Sequence, residues 1–196
     1  MSKENRVSRK EARRQELAKQ RQTRLLQIGV PVVALLVALV ALVVSRVTEP
    51  EVAGAVFVES AIPNQHDTEI SYGFGGLPPT GGVHQPTWQN CGIYTEPVLA
   101  EYAIHSMEHG AVWVTYHPEL PAEQVQALQE TVRGDGYLLL SPYPDQSSDI
   151  VLTAWDVQLQ VDSSGDPRIE EFIQKYRRTR GPETAACSGG IGQPVG

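Results

Sequence analysis

The chain has 196 residues, 41% of them hydrophobic, with a formal net charge of −7. That charge is divided: residues 1–24 carry nine basic and three acidic groups, whereas residues 45–196 carry seven basic and twenty acidic ones. So acidic a second part excludes nucleic acid and other anionic polymers as its partners and leaves cations open.

From Leu25 to Val44 there are twenty residues without a charge. As a helix this run is about 30 Å long, the thickness of a bilayer's hydrocarbon core, and it predicts a transmembrane helix. A cleaved signal peptide would have an apolar region of about 7–15 residues ending in a small-x-small site. Here the run leaves through "VVSRVTEP", with Arg46 where a small residue is wanted, which favours an uncleaved signal anchor. The positive-inside rule then makes residues 1–24 a basic cytoplasmic arm and places everything after about Ser45 outside. The expected partner is the lipid bilayer through residues 25–44, with the arm against anionic head groups and no nucleic acid involved.

Residues 45–60 read as a linker, 61–180 as one extracytoplasmic domain and 181–196 as a Gly-rich tail, mobile except near Cys187. Residues 61–95 are rich in Gly, Pro, Asn and Thr and predict long ordered loops. These loops are either functional or simply pinned to the surface by Tyr72, Phe74, Trp88 and Tyr94. "AVWVTY" (111–116) predicts a strand, and "ELPAEQVQALQETVRGDG" a helix over about 121–133, with Pro121 at its first turn and Gly134 past its end. "YLLLSPY" and "DIVLTAWDVQLQV" predict further strands. "DPRIEEFIQKYRRTR" predicts a last helix, with Ile169, Phe172, Ile173 and Tyr176 at helical spacing. The expected fold is α+β, with an antiparallel or mixed sheet and about two helices behind the transmembrane helix.

The densest chemistry lies in "HSMEHG" (105–110), with His84 and Cys91 upstream. On a strand, His105, Met107 and His109 would share one face. Imidazole and thioether together suit copper, and His84 or Cys91 would complete the set. Trp88 and Glu108 would support these ligands from outside. On a helix, "HSMEH" instead fits H-x-x-E-H, in which two histidines hold zinc and the glutamate activates water. Against that reading, Gly110 and a strand follow at once, which is short for a helix-to-strand connection. A third reading is structural: histidines bonded to loop carbonyls, Met107 in the core, and "EHG" as a hairpin turn.

Cys91 and Cys187 are the only cysteines. In an oxidising compartment an even pair favours a disulfide. The alternatives are two free thiols, or Cys91 as a soft metal ligand.

"PPTGGVHQPTWQNCGIYTEPV", "HSMEHGAVWVTY", "LTAWDVQLQVD" and "GPE" together resemble the bacterial family Domain of Unknown Function 3105, over roughly residues 55–185. The family wording is close to "PPTSGPH" and "HSLEHG", so Gly81, Gly82, Val83 and Met107 depart from it. A leucine at the family's position implies packing for Met107. The resemblance implies a bacterial membrane-anchored or exported protein and assigns no catalytic residue. It matches His84, Cys91, His105, Glu108 and His109 residue by residue. The expected function is a domain that binds a transition metal, copper being the candidate, through His84, His105, Met107 and His109. The alternatives are a non-enzymatic envelope interaction domain and, behind it, a zinc hydrolase.

Overall fold

The computed structural model describes residues 52–58 and 63–195, together with 13–14, 16–17, 19–21, 24, 27–33 and 35–39 of the N-terminal part. The chain forms two units, 1–50 and 51–196. In the first, every described residue is helical, and apolar side chains such as Ile28, Leu35 and Val37 are more than half exposed. Among the described residues no helix is long and apolar enough to cross a membrane. Of the expected span, residues 25, 26, 34 and 40–44 lie outside the described set, as do most of the basic arm and all of residues 45–51.

The second unit is α+β. Its strands are β1 (Val56–Phe57), β2 (Gly92–Ile93), β3 (Val112–Tyr116), β4 (Leu138–Pro142), β5 (Ile150–Ala154) and β6 (Val157–Val161), and its helices are α1 (Ala100–Glu108), α2 (Ala122–Val132) and α3 (Arg168–Tyr176). One mixed sheet has the order β1-β6-β5-β3-β4-β2. β4 runs parallel to both β3 and β2, and the other pairs are antiparallel. Parallel neighbours need a crossover, which α2 supplies between β3 and β4.

Strand alternation gives the sheet two faces. On one, Val112, Val114, Leu138, Leu140 and Leu152 pack with Leu128 and Val132 of α2 and with Ile169, Phe172 and Ile173 of α3. On the other, Trp113 and Leu139 pack with Ala100, Ala103, Ile104 and Met107 of α1. This second face also carries polar side chains, and they are buried. Trp113 Nε1–H donates to Ser141 Oγ at 3.0 Å, and the Gln158 amide donates to the Pro78 carbonyl at 2.8 Å. The long Gly/Pro segment therefore lies over this face as a lid.

Two local expectations change. Val56–Phe57, within the expected linker, is an edge strand on β6. The tail is fastened: Cys187 is disulfide-bonded to Cys91, and the Ile191 and Val195 amides donate to the carbonyls of Trp88 and Ile93. Its glycines permit close docking rather than freedom. A Cβ on Gly181 would stand 2.3 Å from Gly110 N, and Gly110 itself has φ +97°. Among the described residues this unit has three helices against the two or so expected, because the segment left open between strand and helix is helix α1.

The disulfide joins residues 96 apart, so chain entropy makes it worth several kcal/mol in the unfolded-state account. Replacing both cysteines by serine should lower stability by about 2–5 kcal/mol, read by urea denaturation. Equal midpoints for the two proteins would show that the tail docks without the covalent tie.

Candidate metal centre

Helix α1 builds the site from its polar side. Ala100, Ala103, Ile104 and Met107, at i, i+3, i+4 and i+7, face the sheet. Glu101, His105 and Glu108, at i, i+4 and i+7, form the other stripe, also buried. His109 closes the helix as its C-cap, its N–H donating to the His105 carbonyl at 3.1 Å.

His84 arrives from the lid. Its N–H donates to the Gln65 carbonyl and its own carbonyl accepts from the Asp67 N–H, each at 2.9 Å, which also brings in His66. Ring centroids are 4.7 Å apart for His66 and His84, 4.9 Å for His84 and His105, and 4.7 Å for His105 and His109. His66 stacks on His105 at 5.0 Å. The Trp88 indole covers His105 and His109, at 5.6 and 4.8 Å.

The hydrogen bonds fix which nitrogen points where. Nδ1 of His84 lies 2.8 Å from the Gly82 carbonyl, Nδ1 of His105 is 2.8 Å from the Gln85 carbonyl, and Nδ1 of His109 is 3.1 Å from the Ala186 carbonyl. A carbonyl oxygen only accepts, so in each ring Nδ1 carries the proton and Nε2 is the remaining nitrogen. Ligating histidines are commonly oriented through such a bond from the other ring nitrogen.

Nε2 of His84 is 3.0 Å from Glu108 Oε2, and Nε2 of His66 is 3.9 Å from the same oxygen. The other Glu108 oxygen accepts from the Asn64 N–H at 2.7 Å. Two donors on one tetrahedral ion, with bonds of about 2.0–2.1 Å, stand about 3.3 Å apart. The observed contacts bracket that spacing. Among the described residues two groups could hold an ion: His66, His84, His105 and Glu108, and His105, His109 and Glu183, with the ligand atoms in each group within 4.8 Å of one another.

The lid, α1 and the tail that build this site fall within one family domain. The model of the family Protein of unknown function (DUF3105) matches residues 64–189. The chain belongs to this family. No curated protein and no solved structure matches it.

Within the DUF3105 domain the expected site residues fare differently. His84, His105 and His109 come together, with Glu108 among them and Trp88 alongside. Met107 does not join them: it is fully buried against the sheet, because a helix sends position 107 away from 105 and 109 where a strand would have aligned all three. Cys91 and Cys187 are bonded to each other, which removes both as ligands. "EHG" is the end of a helix, not a hairpin turn. The helix-to-strand connection is as short as "HGA", so shortness was no argument against a helix here. Gly110 makes it feasible through its positive φ.

His66 and Glu183 were missed. His66 stands in "NQHDTE", where no spacing marks it, and only its fold partner His84 gives it meaning. Glu183 was visible as the last residue of "GPE", one of the segments that carried the resemblance.

Burial lowers the His105 pKa from 6.5 to about 4, the neighbouring histidines acting in the same direction and the Gln85 hydrogen bond opposing them. The folded value is depressed, so protonation favours the unfolded chain. His105 therefore costs nothing above pH 6.5 and lowers stability between pH 6.5 and about 4, by up to about 1.4 kcal/mol per pH unit. NMR titration of the metal-free protein should leave the His105 ring signals unmoved between pH 8 and about 5. A midpoint near the unperturbed value of about 6.5 would refute this.

Proposed function

We propose that the DUF3105 domain of this chain binds one transition-metal ion between His66, His84, His105 and Glu108. The observation that carries the reading is the shared orientation of His84, His105 and His109. Each gives Nδ1–H to a backbone carbonyl, and Nε2 faces Glu108 in His84 and Glu183 in His109. Three imidazoles with one carboxylate suit copper(II) or zinc better than calcium or magnesium. The case for cuprous copper rested on the Met107 thioether, which is in the core, so a divalent ion is the better fit. The net negative charge of residues 45–196 favours the approach of any cation.

A zinc hydrolase is the second reading, favoured by the placement of "HSMEH" on a helix. Its general base would be Glu108. One oxygen of Glu108 accepts from the Asn64 N–H, the other lies 3.0 Å from His84 Nε2, and the side chain is fully buried. A base must reach a water molecule, and this one faces its own ligands. Metal binding without hydrolysis is therefore preferred.

Copper(II) quenches nearby indoles, and Trp88 and Trp155 lie 5.6 and 6.2 Å from His105 and His84. Titration of the full-length protein in detergent should give saturable quenching at one ion per chain. His105→Ala, which removes the imidazole at the centre of the cluster, should weaken binding by more than the roughly 10–100-fold loss usual for outer partners of a metal site. Met107→Leu should leave the affinity unchanged. Absence of saturable binding by copper(II) and zinc would leave the domain as an interaction module.

We also propose that residues 25–44 anchor the chain in the bacterial membrane with the DUF3105 domain outside. Support comes from the uncharged run, the charge division around it, the exposed apolar side chains among residues 28–39, and a disulfide suited to an oxidising compartment. A reporter enzyme that works only outside the cytoplasm, fused after Gly196, should be active. Activity confined to cytoplasmic reporters would reverse the topology.

A further inference from the structure

We propose that His105, His109 and Glu183 form a second cation station, sharing His105 with the first, so that a single ion moves between the two. The inference rests on the metal reading above and concerns how the same site would take up and release its ion.

The second station has its own geometry. Nε2 of His109 is 3.6 Å from Glu183 Oε2, close to the roughly 3.3 Å between two donors on one tetrahedral ion. His109 is oriented by the Ala186 carbonyl, and the Glu183 N–H donates to the Glu108 carbonyl at 3.0 Å. The tail thus supplies both the new ligand and the group that aims His109. The first station takes its non-helical ligands from the lid, His66 and His84. Two separate stretches of chain flank α1, and His105 lies between them.

Sharing makes occupancy exclusive. Nδ1 of His105 is committed to the Gln85 carbonyl, so one lone pair remains, on Nε2, and it binds one ion at a time. Each station also has one outward-facing ligand: the His66 side chain is 35% exposed and that of Glu183 33%. His105 is only 5% exposed. An ion can be received by His66 on one side, held on His105, and passed to His109 and Glu183 on the other. It exchanges ligands one bond at a time and is never without an imidazole. Such an arrangement fits a carrier that hands over a divalent cation better than a fixed structural ion.

Cobalt(II), whose visible absorption reports its ligand set, tests this on the full-length protein. The wild type should bind one cobalt ion with a spectrum of two components. Glu183→Gln should reduce it to one component at unchanged stoichiometry. His84→Ala combined with Glu108→Gln should retain one ion with the other component, and adding His109→Ala to that pair should abolish binding. If the His84/Glu108 variant does not fold, judged by near-UV circular dichroism, Glu183→Gln decides alone. Two ions per wild-type chain would overturn exclusive sharing. A Glu183→Gln spectrum identical to wild type would remove the second station and leave the first intact. No cobalt or zinc binding by the wild type would defeat the metal reading as well.

Discussion

A nine-residue helix with eight buried positions must satisfy its polar side chains without bulk water. Burying a polar group without a partner costs about 1–3 kcal/mol by protein mutational measures, and more for a charge. In α1 the burden falls on Glu101, His105, Ser106 and Glu108, and the loops around the helix are shaped by it. The carbonyls of Gly82, Gln85 and Gln89 accept from His84, His105 and Ser106; at Glu101 the Gln85 N–H reaches only the backbone carbonyl, and the buried Oε2 has no hydrogen-bond partner. A Gly/Pro-rich segment suits this task, since it can turn its carbonyls inward repeatedly without regular structure.

The same constraint accounts for what could and could not be read from the residues. Helix α2 announces itself through Pro121 and Gly134, and α3 through Ile169, Phe172, Ile173 and Tyr176 on one face. In α1 both faces are buried, so the contrast between apolar and polar sides that marks a surface helix is muted by histidines and a serine. Alternation in "HSMEH" then supports a strand as readily as a helix. Only the backbone decides that Met107 belongs to the core and His105 to the cluster. Strands β1 and β2 lay in segments read as linker and loop, whereas β3 to β6 were legible from their apolar, β-branched and aromatic residues. The burial of their second face was not, because Thr115, Ser141, Thr153 and Gln158 have the look of a solvated face until the lid is placed over them.

The tail shows a different limit. Its glycines suggest mobility when read locally, whereas its order comes from bonds to residues about a hundred positions earlier. Asn90 bonds both Gly190 and Gly192, and the Cys91 N–H donates to the Cys187 carbonyl beside the disulfide. The cysteine pair was the one local sign of this docking. The position of Glu183 follows from it, because the disulfide and the Glu108–Glu183 backbone bond hold the intervening residues against the end of α1.

These observations bear on what a metal would do to the fold. In small zinc domains the ion assembles the site, and binding free energy is folding free energy. Here backbone carbonyls orient the three inner histidines, a disulfide ties the tail, and each sheet face carries its own core. An ion would then contribute only what its concentration and affinity dictate, the ordinary linkage of a ligand to a folded protein. Pre-orientation reduces the ordering cost of binding, so affinity can be high while the protein survives loss of the ion. A protein that takes up and surrenders a cation repeatedly needs that separation of binding from folding. In the proposed cation site that separation would rest on a helix buried on both sides, with its imidazoles aimed by backbone carbonyls.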